Sequence, residues 1–215
     1  MSASLYDITP LVDATLAVWP GDTPVSREVV LDLSHGASVT LSTIRGTVHM
    51  GAHADAPSHY GLDAPSIESR DLDLYLGRCA VLRIPTERGT RVPAAALPPR
   101  LHAERVLIAT GTFPDPTKFN RDFAALEPAL VDALHERGVR LVGIDTPSVD
   151  PFSSKDLQAH RRFLEHGMAI LEGLVLDGVP EGIYELIALP LKLAGFDASP
   201  VRAVLRTLGP ARGGS

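Results

Sequence analysis

The sequence predicts an α/β fold, a mixed sheet with helices outside it, and three observations point there. Residues 39–48 are rich in the β-branched residues of a strand, and short apolar runs recur at 79–84, 105–110 and 139–144, as buried strands require. Between the last two lies a helix over 128–137. It has proline in its first turn, Gly138 past its end, and Leu130, Val131 and Leu134 on one face. Strand, helix and strand in that order make a parallel crossover unit. The 215 residues suit one domain, 1–215, with a sizeable core, and no internal repeat or linker divides them.

Composition narrows the class. With 45% hydrophobic and 21% charged residues the chain is an ordinary soluble globule. A formal charge of -6 argues against a nucleic-acid footprint, which is normally basic. Cys79 is the single cysteine and cannot form an internal disulfide, which favours a reducing compartment. The start shows no basic segment followed by an apolar run, and no stretch approaches a membrane span, so the expectation is a cytoplasmic protein.

In chain order, residues 5–19 open as a strand and end in the rigid turn Trp19-Pro20-Gly21-Asp22-Thr23-Pro24. Trp19, the only tryptophan, is either a core anchor or an aromatic platform for a ligand. The strand at 39–48 delivers the densest chemistry in the chain, His49-Met50-Gly51-Ala52-His53-Ala54-Asp55-Ala56-Pro57-Ser58-His59-Tyr60. Three histidines and an aspartate fall on odd positions, and small or apolar residues on the even ones. Period-two spacing sends the two sets to opposite faces of an extended chain. Imidazoles and a carboxylate on one face suit zinc or a similar divalent ion. Fully extended, His49 and His53 would start about 13 Å apart, so the backbone must bend, and Gly51 is the place for it.

Beyond Tyr60 the sequence predicts a loop at 61–65, a polar segment at 66–76, and a short helix within 93–101. The strand at 139–144 ends in Asp145, which either orients a ligand or caps a turn. Residues 155–165 read as a helix with Leu157, His160 and Leu164 on one side, broken at Gly167. The following run, 168–176, is apolar except for Glu172 and Gly173. An unpaired carboxylate there is costly to bury, so Glu172 either meets a cation or points to solvent from an edge strand. One unbroken helix would hold His160 and Glu172 about 18 Å apart; the break lets them meet. Residues 183–194 and 200–208 supply further core, and the tail at about 210–215 reads as disordered. His35, His102, His135 and His166 follow no pattern.

The run His-x-Gly-x-His-x-Asp-x-Pro-x-His resembles the signature of the cyclase-like metal-dependent hydrolases. The wording around it, with Trp-Pro-Gly-Asp-x-Pro at 19–24, is similar to the bacterial kynurenine formamidase (arylformamidase) branch. The resemblance implies a swivelling β/β/α architecture with a partly closed barrel, and a homodimer. It implies two ions, Zn2+ first among the candidates, one held by His49, His53 and Asp55 and one by Asp55, His160 and Glu172. It further implies that Trp19 contacts substrate and that the small-molecule substrate is N-formyl-L-kynurenine, split into formate and L-kynurenine in tryptophan breakdown. A metal pair would acidify water and polarise the formyl carbonyl, with His59 carrying the proton to the anilide nitrogen. The alternatives are another hydrolase of the family acting on a different aryl or cyclic amide or ester, and a metal-binding module without catalysis. No Gly-x-Ser-x-Gly elbow, phosphate loop, dinucleotide fingerprint or His-Glu-x-x-His helix is present.

Overall fold

The computed structural model describes residues 4–208; the expected tail at 210–215 lies outside them. In chain order the strands and helices are β1 (Leu5–Asp7), β2 (Ser26–Leu31), β3 (Leu41–Arg45), β4 (His53–Asp55), β5 (Leu76–Arg83), β6 (Arg91–Val92), β7 (Arg105–Ala109), β8 (Ala125–Leu126), α1 (Pro128–His135), β9 (Leu141–Ile144), α2 (Gln158–His166), β10 (Ala169–Glu172), β11 (Gly182–Ile187), β12 (Ala198–Pro200) and β13 (Val204–Thr207). Nine strands form one curled sheet, a half-barrel, in the order β1-β13-β11-β5-β7-β9-β10-β4-β12. The middle four, β5, β7, β9 and β10, run parallel, and antiparallel strands flank them on both sides. The expected mixed sheet with outer helices is what forms.

β7, β9, β10 and the Cys79–Val81 centre of β5 are buried on both faces, which is why they read as continuous apolar runs rather than alternating ones. Val106 and Ile108 of β7, Val142 and Ile144 of β9, and Ile170 of β10 pack against the helices through Leu130, Val131, Leu134, Ala159 and Phe163. The intervening residues Leu107, Leu141, Ala169 and Leu171 join a second core with Ile8, Ala52, Ala54 and Ala56. Burying a side chain such as Phe163 stabilises by about 1.5–3 kcal/mol, and each face is built from many of them.

Several local expectations are corrected. Residues 93–101 hold only a single 3-10 turn, Ala94–Ala96, because prolines on both sides leave no room for an α-helix. The opening strand is three residues long rather than spanning 5–19. The helix at 155–165 begins at Gln158, after Leu157 adopts a left-handed conformation at φ 46°. Its buried residues are Ala159, His160 and Phe163 rather than Leu157 and Leu164. Cys79 is fully buried in β5, where loss of solvation pushes its thiol well above the usual range. No helix among the described residues is long and apolar enough to cross a membrane.

One element stands apart. β2 and β3 form a two-stranded sheet of their own, and every residue in both strands is exposed. Val29, Val30, Leu31, Leu41 and Ile44 expose between 44% and 66% of their surface. An isolated two-stranded hairpin is marginally stable in water.

Candidate metal centre and substrate cavity

The run 49–60 is extended only over β4. Gly51 turns the chain at φ 57°, and the run closes in a 3-10 turn at Pro57–His59. That bend brings the His49 and His53 rings to 4.9 Å between centroids, answering the reach problem of a straight strand. Within β4 the alternation holds: Ala52, Ala54 and Ala56 point into the core, while His53 and Asp55 share the opposite face. β10 lies antiparallel beside β4 with Glu172 opposite His53 and Ile170 opposite Asp55. Glu172 therefore sits on an interior strand and emerges next to His53, on the sheet face that α2 covers. α2 brings His160 down onto the same spot, and left-handed Gly167 at φ 63° ends the helix and turns the chain into β10. An edge-strand carboxylate facing solvent is ruled out, since Glu172 is 3% exposed.

Three groups of possible ligand atoms result: His49, His59 and Asp197 on the cavity side, and two deeper sets, His49, His53 and Asp55, and Asp55, His160 and Glu172. Asp55 Oδ1 lies 3.2 Å from His49 Nδ1 and 3.5 Å from His53 Nε2, and Asp55 Oδ2 lies 3.5 Å from His160 Nε2. Glu172 faces both sets, with Oε2 3.4 Å from His53 Nε2 and Oε1 3.6 Å from His160 Nε2. Four ligands at bonds of about 2.1 Å around a tetrahedral ion stand about 3.4 Å apart, which is the spacing seen here. The buried His53 Nε2 and both Asp55 carboxylate oxygens find no hydrogen-bond partner in the protein. Such orphans are costly unless something else satisfies them, and a divalent ion would satisfy all three. The residues fit a metal.

The imidazoles are also aimed. His53 Nδ1 is 2.9 Å from the Gly51 carbonyl, leaving Nε2 for the centre. His160 Nδ1 is 2.9 Å from Asp150 Oδ2, again leaving Nε2. His49 is reversed: Nε2 lies 3.0 Å from Asp197 Oδ2, leaving Nδ1. Outer hydrogen bonds of this kind fix the tautomer and orientation of ligating histidines. Asp150 and Asp197 were not singled out from the sequence, and nothing local marks them, because their partners are 10 and 148 positions away.

The electrostatics call for positive charge. Burial alone would raise the Asp55 pKa, but the imidazoles of His160, His49 and His53 crowded around it hold it well below the carboxylate range. Burial likewise opposes protonation of His49 and His160, yet the carboxylates around them raise His49 to about 9 and His160 to about 10. The carboxylates gathered around these imidazoles thus favour positive charge at the centre, which a bound cation would also supply.

The centre opens into a cavity of about 460 Å3 whose wall includes Trp19, Phe113, Phe119, His59 and Asp145. Trp19 is half-buried and anchored, stacked on Phe152 at 4.9 Å and edge-on to Phe119 at 5.5 Å. Asp145 accepts hydrogen bonds from the Thr110 hydroxyl and the Gly111 N–H, at 2.7 and 2.8 Å, rather than reaching the ligand sets. The ring of His59 stands 4.2 Å from that of His49 and 6.2 Å from that of His160.

The model of the Cyclase family matches residues 6–151. Among solved structures the chain is similar to a potential metal-dependent hydrolase with cyclase activity, at 25% identity and TM-score 0.84, covering 97% of this chain and 100% of that one. It is also similar to a predicted metal-dependent hydrolase from Bacillus stearothermophilus, at 26% identity and TM-score 0.82, with the same coverage of 97% and 100%. An isatin hydrolase bound to the product analogue thioisatinate shares the fold, at 17% identity and TM-score 0.83, over 96% of this chain and 93% of that one. With the run 49–60 inside the matched region, the chain belongs to the cyclase family.

Proposed function

We propose that the protein is an arylformamidase that hydrolyses N-formyl-L-kynurenine to L-kynurenine and formate in tryptophan catabolism. The observation behind this reading is the meeting of two ligand sets on one shared carboxylate, Asp55, at the wall of an aromatic-lined cavity. His49, His53 and Asp55 would hold one divalent ion, and Asp55, His160 and Glu172 the other, zinc being the first candidate for both. Bound there, such ions lower the pKa of water towards neutrality and polarise an amide carbonyl.

The chain's own groups supply the rest. Trp19 stacks on the substrate's aryl ring, and Phe113 and Phe119 keep that side of the cavity apolar. His59 Nδ1 lies 3.4 Å from Asp197 Oδ2, and Nε2 has no protein partner among the described residues. At Nε2 it takes a proton from the attacking water and returns it to the anilide nitrogen, a poor leaving group unless protonated. The chain works as one hydrolase domain in the cytoplasm and as a homodimer; the fully exposed β2–β3 hairpin supports a second copy as its cover.

The test is release of L-kynurenine by protein of known metal content, before and after a chelator, and with His59→Ala. Turnover that dies on chelation and returns with zinc, together with an inactive but metal-loaded His59→Ala, supports the reading. Metal without turnover would redirect the search to other aryl or cyclic amides and esters. Full activity in His59→Ala would remove its assigned role, and a dispensable His59 with bound metal and no reaction on any such substrate would leave only a binding module.

A further inference from the structure

Asp197 touches both kinds of histidine at the site with a single atom. Its Oδ2 lies 3.0 Å from His49 Nε2 and 3.4 Å from His59 Nδ1. The three side chains bring their nitrogen and oxygen atoms within one small cluster. Among the described residues the Asp197 carboxylate pairs with no lysine or arginine; the two imidazoles are its ion-pair partners. Its carboxyl is held below the usual range, because the contacts with His49 and His59 outweigh partial burial.

The position is built rather than incidental. Asp197 immediately precedes β12, and its carbonyl accepts from the Ala56 N–H at 2.8 Å, next to the ligand Asp55. The loop leading to it is tied at three points. Leu191 N–H donates to Ser199 Oγ at 2.8 Å, Gly195 N–H to Glu68 Oε1 at 3.1 Å, and Ile67 N–H to the Phe196 carbonyl at 3.0 Å. A half-exposed aspartate on a free loop would lose side-chain entropy in holding two rings. Here the backbone has already been fixed.

We infer that Asp197 is a positioning residue that sets both imidazoles at once, holding His49 so that Nδ1 faces the metal and His59 so that Nε2 faces the cavity. This deepens the proposed hydrolase mechanism and rests on it for the role of His59. The half that concerns His49 needs no substrate. His160 has an equivalent carboxylate in Asp150, but Asp150 serves one ring only, whereas Asp197 ties a metal ligand to the proton-carrying residue. Contacts of the length seen to His59 commonly tighten once the reacting complex forms.

The test uses the full chain with Asp197→Asn and Asp197→Glu. Zinc affinity is measured by competition with a chromophoric chelator, and kcat and KM on N-formyl-L-kynurenine at saturating zinc. Asp197→Asn is expected to weaken zinc binding about 10–100-fold, the usual effect of losing an outer partner of a ligating histidine. It should also lower kcat at least tenfold with KM little changed, and Asp197→Glu should recover part of both. An unchanged melting temperature separates this from misfolding. Wild-type zinc affinity in Asp197→Asn, or wild-type kcat at saturating zinc, would overturn the inference, since one carboxylate must serve both rings. If the wild-type protein binds zinc but does not turn over this substrate, the arylformamidase reading fails while the affinity measurement still decides the His49 half.

Discussion

Asp150→Asn should be among the most damaging single-atom-scale changes in the chain. Asp150 is fully buried between β9 and α2. Its carboxylate accepts from the Ala159 and His160 backbone N–H groups, each at 3.0 Å to Oδ2, from His160 Nδ1 at 2.9 Å, and from Arg91 Nη2 at 3.1 Å to Oδ1. It thus caps α2, whose own N-cap residue Leu157 offers no side-chain acceptor, and it aims His160 at the same time. Burial alone would raise its pKa, but hydrogen bonds from His160 and Ala159 prevail and keep it ionised. An asparagine retains one acceptor oxygen and turns an NH2 group towards donors. Breaking a buried ion pair from one side costs about 3–5 kcal/mol. Arg91, a quarter exposed, regains water and pulls the figure towards the lower end. For a chain of this size each kcal/mol lowers the melting temperature by about 2–4 °C, so a drop of about 6–20 °C is expected in thermal unfolding followed by circular dichroism. Zinc affinity should fall by about 10–100-fold in the protein that remains folded. A variant that melts within about 2 °C of wild type and binds zinc normally would refute the account.

Three further outcomes follow from the same geometry. Gly173 sits at φ 65°, and a Cβ there would lie 2.2 Å from the Gly51 carbonyl oxygen, so Gly173→Ala must push β10 away from the ligand run. A loss of about 2 kcal/mol or more in urea unfolding, with weakened zinc binding, is expected; a neutral variant would show that this contact is soft. Asp132 clamps α1 to α2 by bidentate hydrogen bonds from Arg162 at 2.8 Å and a contact with His166 at 2.7 Å. The Arg162 hydrogen bond leads in lowering its pKa against burial. Because the folded value is the lower one, the stabilisation is present above about pH 4 and is lost as pH falls through that folded value. Asp132→Asn should cost about 1 kcal/mol at neutral pH, discounted for partial exposure, and the difference from wild type should shrink in acid. Trp19→Ala should raise KM for an aryl amide about tenfold, since aromatic contacts are worth about 0.5–1.5 kcal/mol beyond buried area, while leaving kcat and zinc content near wild type.

What the sequence revealed of the site is what period and chain punctuation can carry. His53 and Asp55 are two apart on a strand, so their shared face was visible in the spacing. Gly51 was the one residue free to bend the run, and it does. Glu172 stood out because an acid in an apolar run needs a partner. His160 was different: on a polar helix a lone histidine has no local mark, and only the resemblance pointed to it. Asp150 and Asp197 were invisible, since each acts across a loop and its chemistry depends on where β9, α2 and β12 come to rest. The short helix expected at 93–101 fell to the prolines beside it. The start of α2 moved because Asp150 caps it from eight residues before its first turn, and capping rules look only at neighbouring positions.

The ligand run also shows why site and core specify one another. On one face of β4, alanines at 52, 54 and 56 are no more than 1% exposed and let β10 and β12 flank the strand closely. On the other face stand His53 and Asp55. Slipping this pairing by one residue would drive both charged groups into the apolar core and turn the alanines towards the cavity, and that interchange is prohibitive when one face is buried. The register that buries the alanines is therefore the register that places His53 opposite Glu172 and sets Asp55 beneath His160. Core packing and the placing of these groups are thus set by one register, at the expense of burying His53, Asp55, His160 and Glu172 almost completely. The carboxylates around His49 and His160 raise the pKa of both rings, and a divalent cation there would answer the same pull.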